Sequence, residues 1–158
     1  MHIDEDWKSG IGKKVSRDML IADIENHILE GGKIFVGCDS NAMGDSCTFA
    51  QTICLYNEVA RKGGRYFYKT QKVKMRFKTP PQVRIMQEAQ DAIEIALELS
   101  QIFPTENIEV HLDVNTRKGY LSQTLADQLS GYAKSAGFSC KLKPESWAAT
   151  GIADGHTR

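Results

Sequence analysis

No two of the four cysteines, Cys38, Cys47, Cys54 and Cys140, form a C-x-x-C pair, and at least two fall inside strand-like runs. Buried free thiols in a reducing compartment account for them better than a disulfide framework or a zinc site. A cytoplasmic location is therefore the expectation. No apolar run approaches the ~20 residues of a membrane-spanning helix. The opening Met1-His2-Ile3-Asp4-Glu5-Asp6 is acidic and has no apolar stretch of the kind a secretory signal needs. There is no G-x-x-x-x-G-K-[ST], no G-x-G-x-x-G and no G-x-S-x-G. Asp39 is followed by Ser40-Asn41-Ala42, without the glycines that sugar kinases and actin-like ATPases use to hold phosphates. Nucleotide-dependent phosphotransfer is disfavoured accordingly. Net charge is absent too: 20 Lys and Arg balance 20 Asp and Glu.

The balance conceals an uneven distribution. Arg61, Lys62, Arg65, Lys69, Lys72, Lys74, Arg76 and Lys78 fall in one stretch without an acid, and acids dominate from Glu88 to Asp113. A chain of 158 residues is expected to form one domain, residues 1–158, with residues 1–32 as an N-terminal helical extension. At that length about 68–70 % of the unfolded surface can be buried.

Periodicity predicts a helix from Ser16, a potential cap, to Glu30, ended by Gly31-Gly32. Strands are expected at Ile34–Cys38, Cys47–Tyr56 and Arg65–Phe77, with Asn41–Ser46 as a turn. Pro80-Pro81 suits the start of a helix running through Gln82–Phe103. A strand at 107–114, a helix at 120–136, a short strand at 138–142 and a last short helix within 144–154, with Ser146 as a possible cap, complete the order. Three early strands suggest an antiparallel meander, and the later alternation suggests parallel crossovers. The expected fold is α/β: a five-stranded mixed sheet with helices on its faces.

Asp39 and Asp113 each end an apolar run, which places a carboxylate at the end of a strand, where open α/β sheets build sites. On adjacent strands they would lie about 4.8 Å apart. Carboxylates that close repel unless one is protonated or a cation lies between them, and a divalent metal is the simplest resolution. On a helical wheel starting at Ile85, Glu94 falls opposite the apolar arc with Gln87, Asp91 and Glu98, on the solvated side, whereas Glu88 falls inside it. A carboxylate aimed at a sheet is expensive unless paired or metal-bound. Glu88 is thus a candidate ligand, and its ordinary alternatives are snorkelling or a pair with Arg84. Asp154 ends a small, apolar stretch and is either a fourth ligand or a plain helix-end acid.

Glu109, His111, Asp113 and Asn115 share a strand face. His111 is either a proton-transfer group or an ordinary half-exposed histidine. His156, two residues past Asp154, is a candidate for a general-base or product-release role. Ser40, Asn41 and Asn115 are polar neighbours suited to orienting ligands or waters. Lys72, Lys74, Arg76 and Lys78 are placed to track phosphates, with Tyr66 and Tyr68 as stacking partners. Lysines on an edge strand also serve simply to block sheet-to-sheet association.

Val36-Gly37-Cys38-Asp39-Ser40, His111-Leu112-Asp113-Val114-Asn115 and Lys143-Pro144-Glu145-Ser146-Trp147-Ala148-Ala149 with Ala153-Asp154 resemble the YkuK family, a ribonuclease H-like group of predicted nucleases. The likeness runs from about Ser16 to the end of the chain. It implies that the strands carrying Asp39 and Asp113 lie side by side. It also implies a two-metal phosphodiesterase site in which Asp39, Glu88, Asp113 and Asp154 hold Mg²⁺ or Mn²⁺. The segment before Asp154 is shorter than in typical ribonucleases H and no separate basic handle is present, so specificity for hybrid duplexes is not carried over. The expected activity is metal-dependent hydrolysis of RNA or DNA, with nucleic acid as partner and no membrane. The alternatives are a nucleic-acid-binding module without turnover and a small-molecule phosphohydrolase.

Overall fold

The computed structural model describes residues 6–60, 62–76, 79–115 and 122–157. Its elements, in chain order, are β1 (Lys8–Ser9), α1 (Arg17–Leu29), β2 (Lys33–Met43), β3 (Ser46–Asn57), β4 (Lys62–Lys74), α2 (Pro81–Ser100), β5 (Ile108–Asn115), α3 (Ser122–Ser135) and β6 (Ser139–Lys143). A π-helical turn, Ala148–Ala153, and a 3₁₀ turn, Asp154–His156, follow. The strands form one sheet in the order β1-β4-β3-β2-β5-β6. The β2–β3–β4 meander is antiparallel, and β5 and β6 are added parallel.

The mixed sheet is the expected one, but it has six strands where the sequence suggests five. The additional strand, β1, is two residues long and has no periodicity to read. Burial of Trp7 anchors it, and it pairs with β4 at Tyr68 and Phe67. The segment ahead of α1 is therefore not purely helical. A second difference concerns β2, which runs to Met43 and turns only at Gly44-Asp45, where Gly44 adopts φ +59. Positive φ is inexpensive for glycine, so a two-residue hairpin suffices here.

Residues of β2 alternate between two environments. Ile34, Val36 and Cys38 join one core with Leu20 and Ile24 of α1, Ile93, Ile95 and Leu99 of α2, and Ala126 and Ala133 of α3. Burying side chains such as Ile93 and Leu99 contributes roughly 1.5–3 kcal/mol each. Helix starts follow local chemistry. Ser16 Oγ accepts the Met19 N–H at 3.2 Å, and α2 begins at Pro81, where a missing N–H costs nothing.

Phe35 and Gly37 face the opposite side, where the C-terminal segment packs through Trp147, Ala148 and Ile152. The segment lies flat because Ala148 and Ala149 are small and Gly37 has no side chain. A Cβ at position 37 would fall 2.5 Å from both Ala148 C and Ala149 N. Thr52 Oγ1 fastens the segment by donating to Ala148 O at 3.1 Å. Ser146 does not act through its hydroxyl. Its carbonyl accepts the Ala149 and Thr150 N–H groups.

Gly37→Ala therefore forces backbone apart and should destabilise the protein by at least about 1–3 kcal/mol in urea unfolding. Gly131→Ala, in an exposed part of α3 with nothing within 4 Å of the added Cβ, should stabilise by roughly 0.4–1 kcal/mol. Equal effects of the two substitutions would contradict the close packing at Gly37.

Candidate metal centre

The β2–β5 pairing ends at Gly37 and His111, and Asp39 and Asp113 lie two residues further along each strand. Past that point β2 continues to pair with β3, while β5 draws away. Asp39 is thus not at the end of its strand, as its apolar run suggested. It marks the place where two strands part and leave room between them. Glu88 enters from α2, and one carboxylate oxygen from each of Asp39, Glu88 and Asp113 lies within 4.8 Å of the others. Asp154, at the start of the last 3₁₀ turn, is within hydrogen-bonding reach of Asp39.

Asp39 and Glu88 are buried, 6 % and 7 % exposed. Burial pushes the Asp39 carboxyl up to about 9, helped by the hydrogen bond it shares with Asp113, by the Glu88 and Asp113 charges and by Asp154. Burial pushes Glu88 up to about 7. The hydrogen bond from Ser40 Oγ opposes that rise, Asp113 adds to it, and the Arg84 guanidinium pulls against it. Asp113 Oδ1 is buried beside them. Its partner is the Lys143 ammonium, 2.7 Å away, which offsets its charge. An all-oxygen cluster whose carboxyls are pushed up first by burial and then by one another's charge fits a hard divalent cation.

The ribonuclease H-like family model matches residues 17–158. The chain belongs to that family. Among solved structures, this ribonuclease H-like chain is similar to the N-terminal RNase H domain of Rv2228c from Mycobacterium tuberculosis, determined as a fusion with maltose-binding protein. That pair shares 13 % identity and a TM-score of 0.41, over 80 % of this chain and 94 % of the other. It is also similar to RNase H1 from the halophilic archaeon Halobacterium salinarum NRC-1, at 16 % identity and a TM-score of 0.40, over 74 % and 89 %. No curated protein matches the sequence.

The remaining candidates of this ribonuclease H-like chain divide. His156 sits on β4, stacked on Tyr68 at 3.8 Å between ring centroids, with Nε2 2.8 Å from the Tyr66 hydroxyl. Burial lowers its pKa. It is not one of the groups whose oxygens or nitrogens converge with Asp39. Lys72 and Lys74 are exposed and alternate in step with Tyr66 and Tyr68. Through the pairs Thr70↔Ala50 and Ala50↔Asp39, that face of β4 is also the face bearing Asp39. Among the described residues, β1 pairs with β4 only at Phe67 and Tyr68. Arg76 is exposed just beyond β4. Lys78 and Phe77 lie outside the described residues, as does Tyr120 at the expected start of α3.

Two polar residues behave differently from expectation. His111 is 1 % exposed. Its Nδ1 accepts the Ala148 N–H at 3.1 Å, which makes Nε2 the protonated nitrogen, and Nε2 donates to Glu109 at 2.8 Å. It is a strut under the C-terminal segment rather than a half-exposed strand histidine. Asp91 is buried, not solvated: Gln51 Nε2 and Gln87 Nε2 donate to it at 3.2 and 2.8 Å. Its wheel position borders the apolar arc, and the two glutamine amides, one from β3 and one from its own helix, make burial tolerable there.

The raised carboxyls set the sign of a pH effect. Without metal, folded Asp39 and Glu88 hold protons that the unfolded chain releases near 4, so stability falls as pH rises. The decline should run from about pH 4 to pH 9, the interval between the ordinary and raised values of Asp39. In EDTA at pH 8, Asp39→Asn should raise Tm by at least about 2 °C, the shift that ~1 kcal/mol produces in a chain of this size. A variant less stable than the parent at pH 8 would contradict the electrostatic account.

Proposed function

We propose that this protein is a divalent-metal-dependent nuclease, hydrolysing phosphodiester bonds of RNA or DNA in the cytoplasm, within a single domain of the YkuK branch of the family. One observation carries the proposal: carboxylates from β2, α2 and β5 converge within 4.8 Å at the rim of a ribonuclease H-like sheet. Mg²⁺ or Mn²⁺, as a pair of ions, would be held by Asp39, Glu88, Asp113 and Asp154. When bound, such ions activate water and stabilise the leaving oxygen.

The chain's own contribution is placement. Asp39 is central, touching both Asp113 and Asp154. Ser40 orients Glu88, and Arg84 approaches the same hydroxyl at 3.5 Å. Lys72, Lys74, Arg76 and Lys78 supply charge for the phosphate backbone, whose neutralisation drives sequence-independent binding. The position of Lys72 and Lys74 on the face of Asp39 favours this role over a purely protective one. Tyr68 and His156 present a stacked aromatic pair on that face, and this position supports a product-release role for His156.

Cleavage of single- and double-stranded RNA and DNA should require Mg²⁺ or Mn²⁺ and stop with EDTA. Asp39→Asn and Asp113→Asn should each lower the rate by about a thousandfold or more, the loss of roughly 4 kcal/mol of transition-state stabilisation. Reversing Lys72, Lys74 and Arg76 to glutamate should weaken binding at least about tenfold and flatten its salt dependence. Binding without EDTA-sensitive turnover would instead indicate a binding module. Turnover of mononucleotides alone would indicate a small-molecule phosphohydrolase.

A further inference from the structure

Beside the carboxylate cluster stands Lys143, the last residue of β6. It stands opposite Asn115 in the β5–β6 register. Its stem therefore runs beside β5, and its ammonium reaches back 2.7 Å from Asp113 Oδ1. The Asp113 side chain is only 15 % exposed, whereas that of Lys143 is 45 % exposed. One end of the pair is fixed in the site, and the other is tethered in solvent by a flexible four-carbon stem.

Three features indicate what this lysine does. The cluster holds Asp39, Glu88, Asp113 and Asp154 together, and burial has removed much of the water that would screen them. Among the described residues, Lys143 and Arg84 act on it from two sides: Arg84 at Glu88 and Ser40, Lys143 at Asp113. Finally, the lysine holds Asp113 Oδ1 by a close charge-assisted contact, hydrogen bond and charge together. A divalent ion seeking that oxygen meets a positive charge already on it.

We propose that Lys143 is the resident counter-ion of the carboxylate site, holding Asp113 in the metal-free protein and leaving it when a divalent cation binds. The proposal rests on the metal-binding reading above and adds a control to it. Lys143 lowers the site's affinity for divalent ions and prevents the cluster from carrying several bare charges when none is bound. Displaced, its ammonium turns toward solvent beside the cluster, where a backbone phosphate is the complementary partner. Metal loading would thus free a phosphate contact that the metal-free protein keeps occupied.

The test is calorimetric titration of Mn²⁺ into EDTA-stripped protein, parent against Lys143→Met, with Lys141→Met on the same strand as the control for net charge. Lys143→Met should bind Mn²⁺ about tenfold or more tighter than the parent, and Lys141→Met should remain within about twofold. Metal-free melting at pH 8 gives a second readout. Lys143→Met should lower Tm in the parent but not in an Asp113→Asn background, where the charge it offsets is absent. Lys143→Gln serves both readouts if the methionine variant fails to fold. Binding by Lys143→Met when the parent binds nothing supports the inference. Equal or weaker Mn²⁺ affinity in Lys143→Met overturns it and leaves the metal reading standing. No Mn²⁺ binding by any variant overturns the metal reading and this inference together, even if the melting cycle shows the ion pair.

Discussion

Carboxylates repel, and this sheet forces several of them into one small, dry space. Asp39, Glu88 and Asp113 arrive from β2, α2 and β5, and Asp154 from the chain's last turns. Nothing in folding requires such a gathering, since each acid would be better solvated elsewhere. When metal is absent, burial and neighbouring charge favour the protonated forms of Asp39 and Glu88. The neighbouring groups can be understood as responses to that repulsion: Ser40 on Glu88, Arg84 beyond it, and Lys143 on Asp113.

The scaffold that imposes the gathering depends on a second constraint at Gly37. The same strand that presents Asp39 must let the C-terminal segment lie against that same face two residues earlier, and only glycine allows it. His111, one strand away, receives the Ala148 N–H and fixes that segment laterally. Asp154 follows from this: it reaches Asp39 because six residues earlier the backbone is pinned to the sheet. Packing and chemistry are coupled here through backbone contact, so damage to Gly37 should reach the carboxylates without touching them.

What was legible in the sequence were patterns that live within one element. The apolar runs ending at Asp39 and Asp113 revealed two strands, and their adjacency followed from the family resemblance. The helical wheel singled out Glu88 because an acid inside an apolar arc violates a local rule. What escaped depended on partners distant in sequence. Asp91 reads as solvated until Gln51 is seen to meet it from β3. His111 reads as half-exposed until the C-terminal segment covers it. β1, at two residues, is too short for any periodicity and is secured by Trp7 instead. Lys143 belonged to a quoted motif, but its role depends on reaching across to β5, which no spacing along the chain encodes.

The central claim, that these acids converge to hold divalent cations, is tested most directly by anomalous diffraction from crystals soaked in Mn²⁺. Peaks bounded by Asp39 and Asp113, with Glu88 or Asp154 completing the oxygen shell and Lys143 withdrawn, are the predicted result. An empty cluster at saturating Mn²⁺, with Asp39 still hydrogen-bonded to Asp113 and Lys143 still in place, would contradict it.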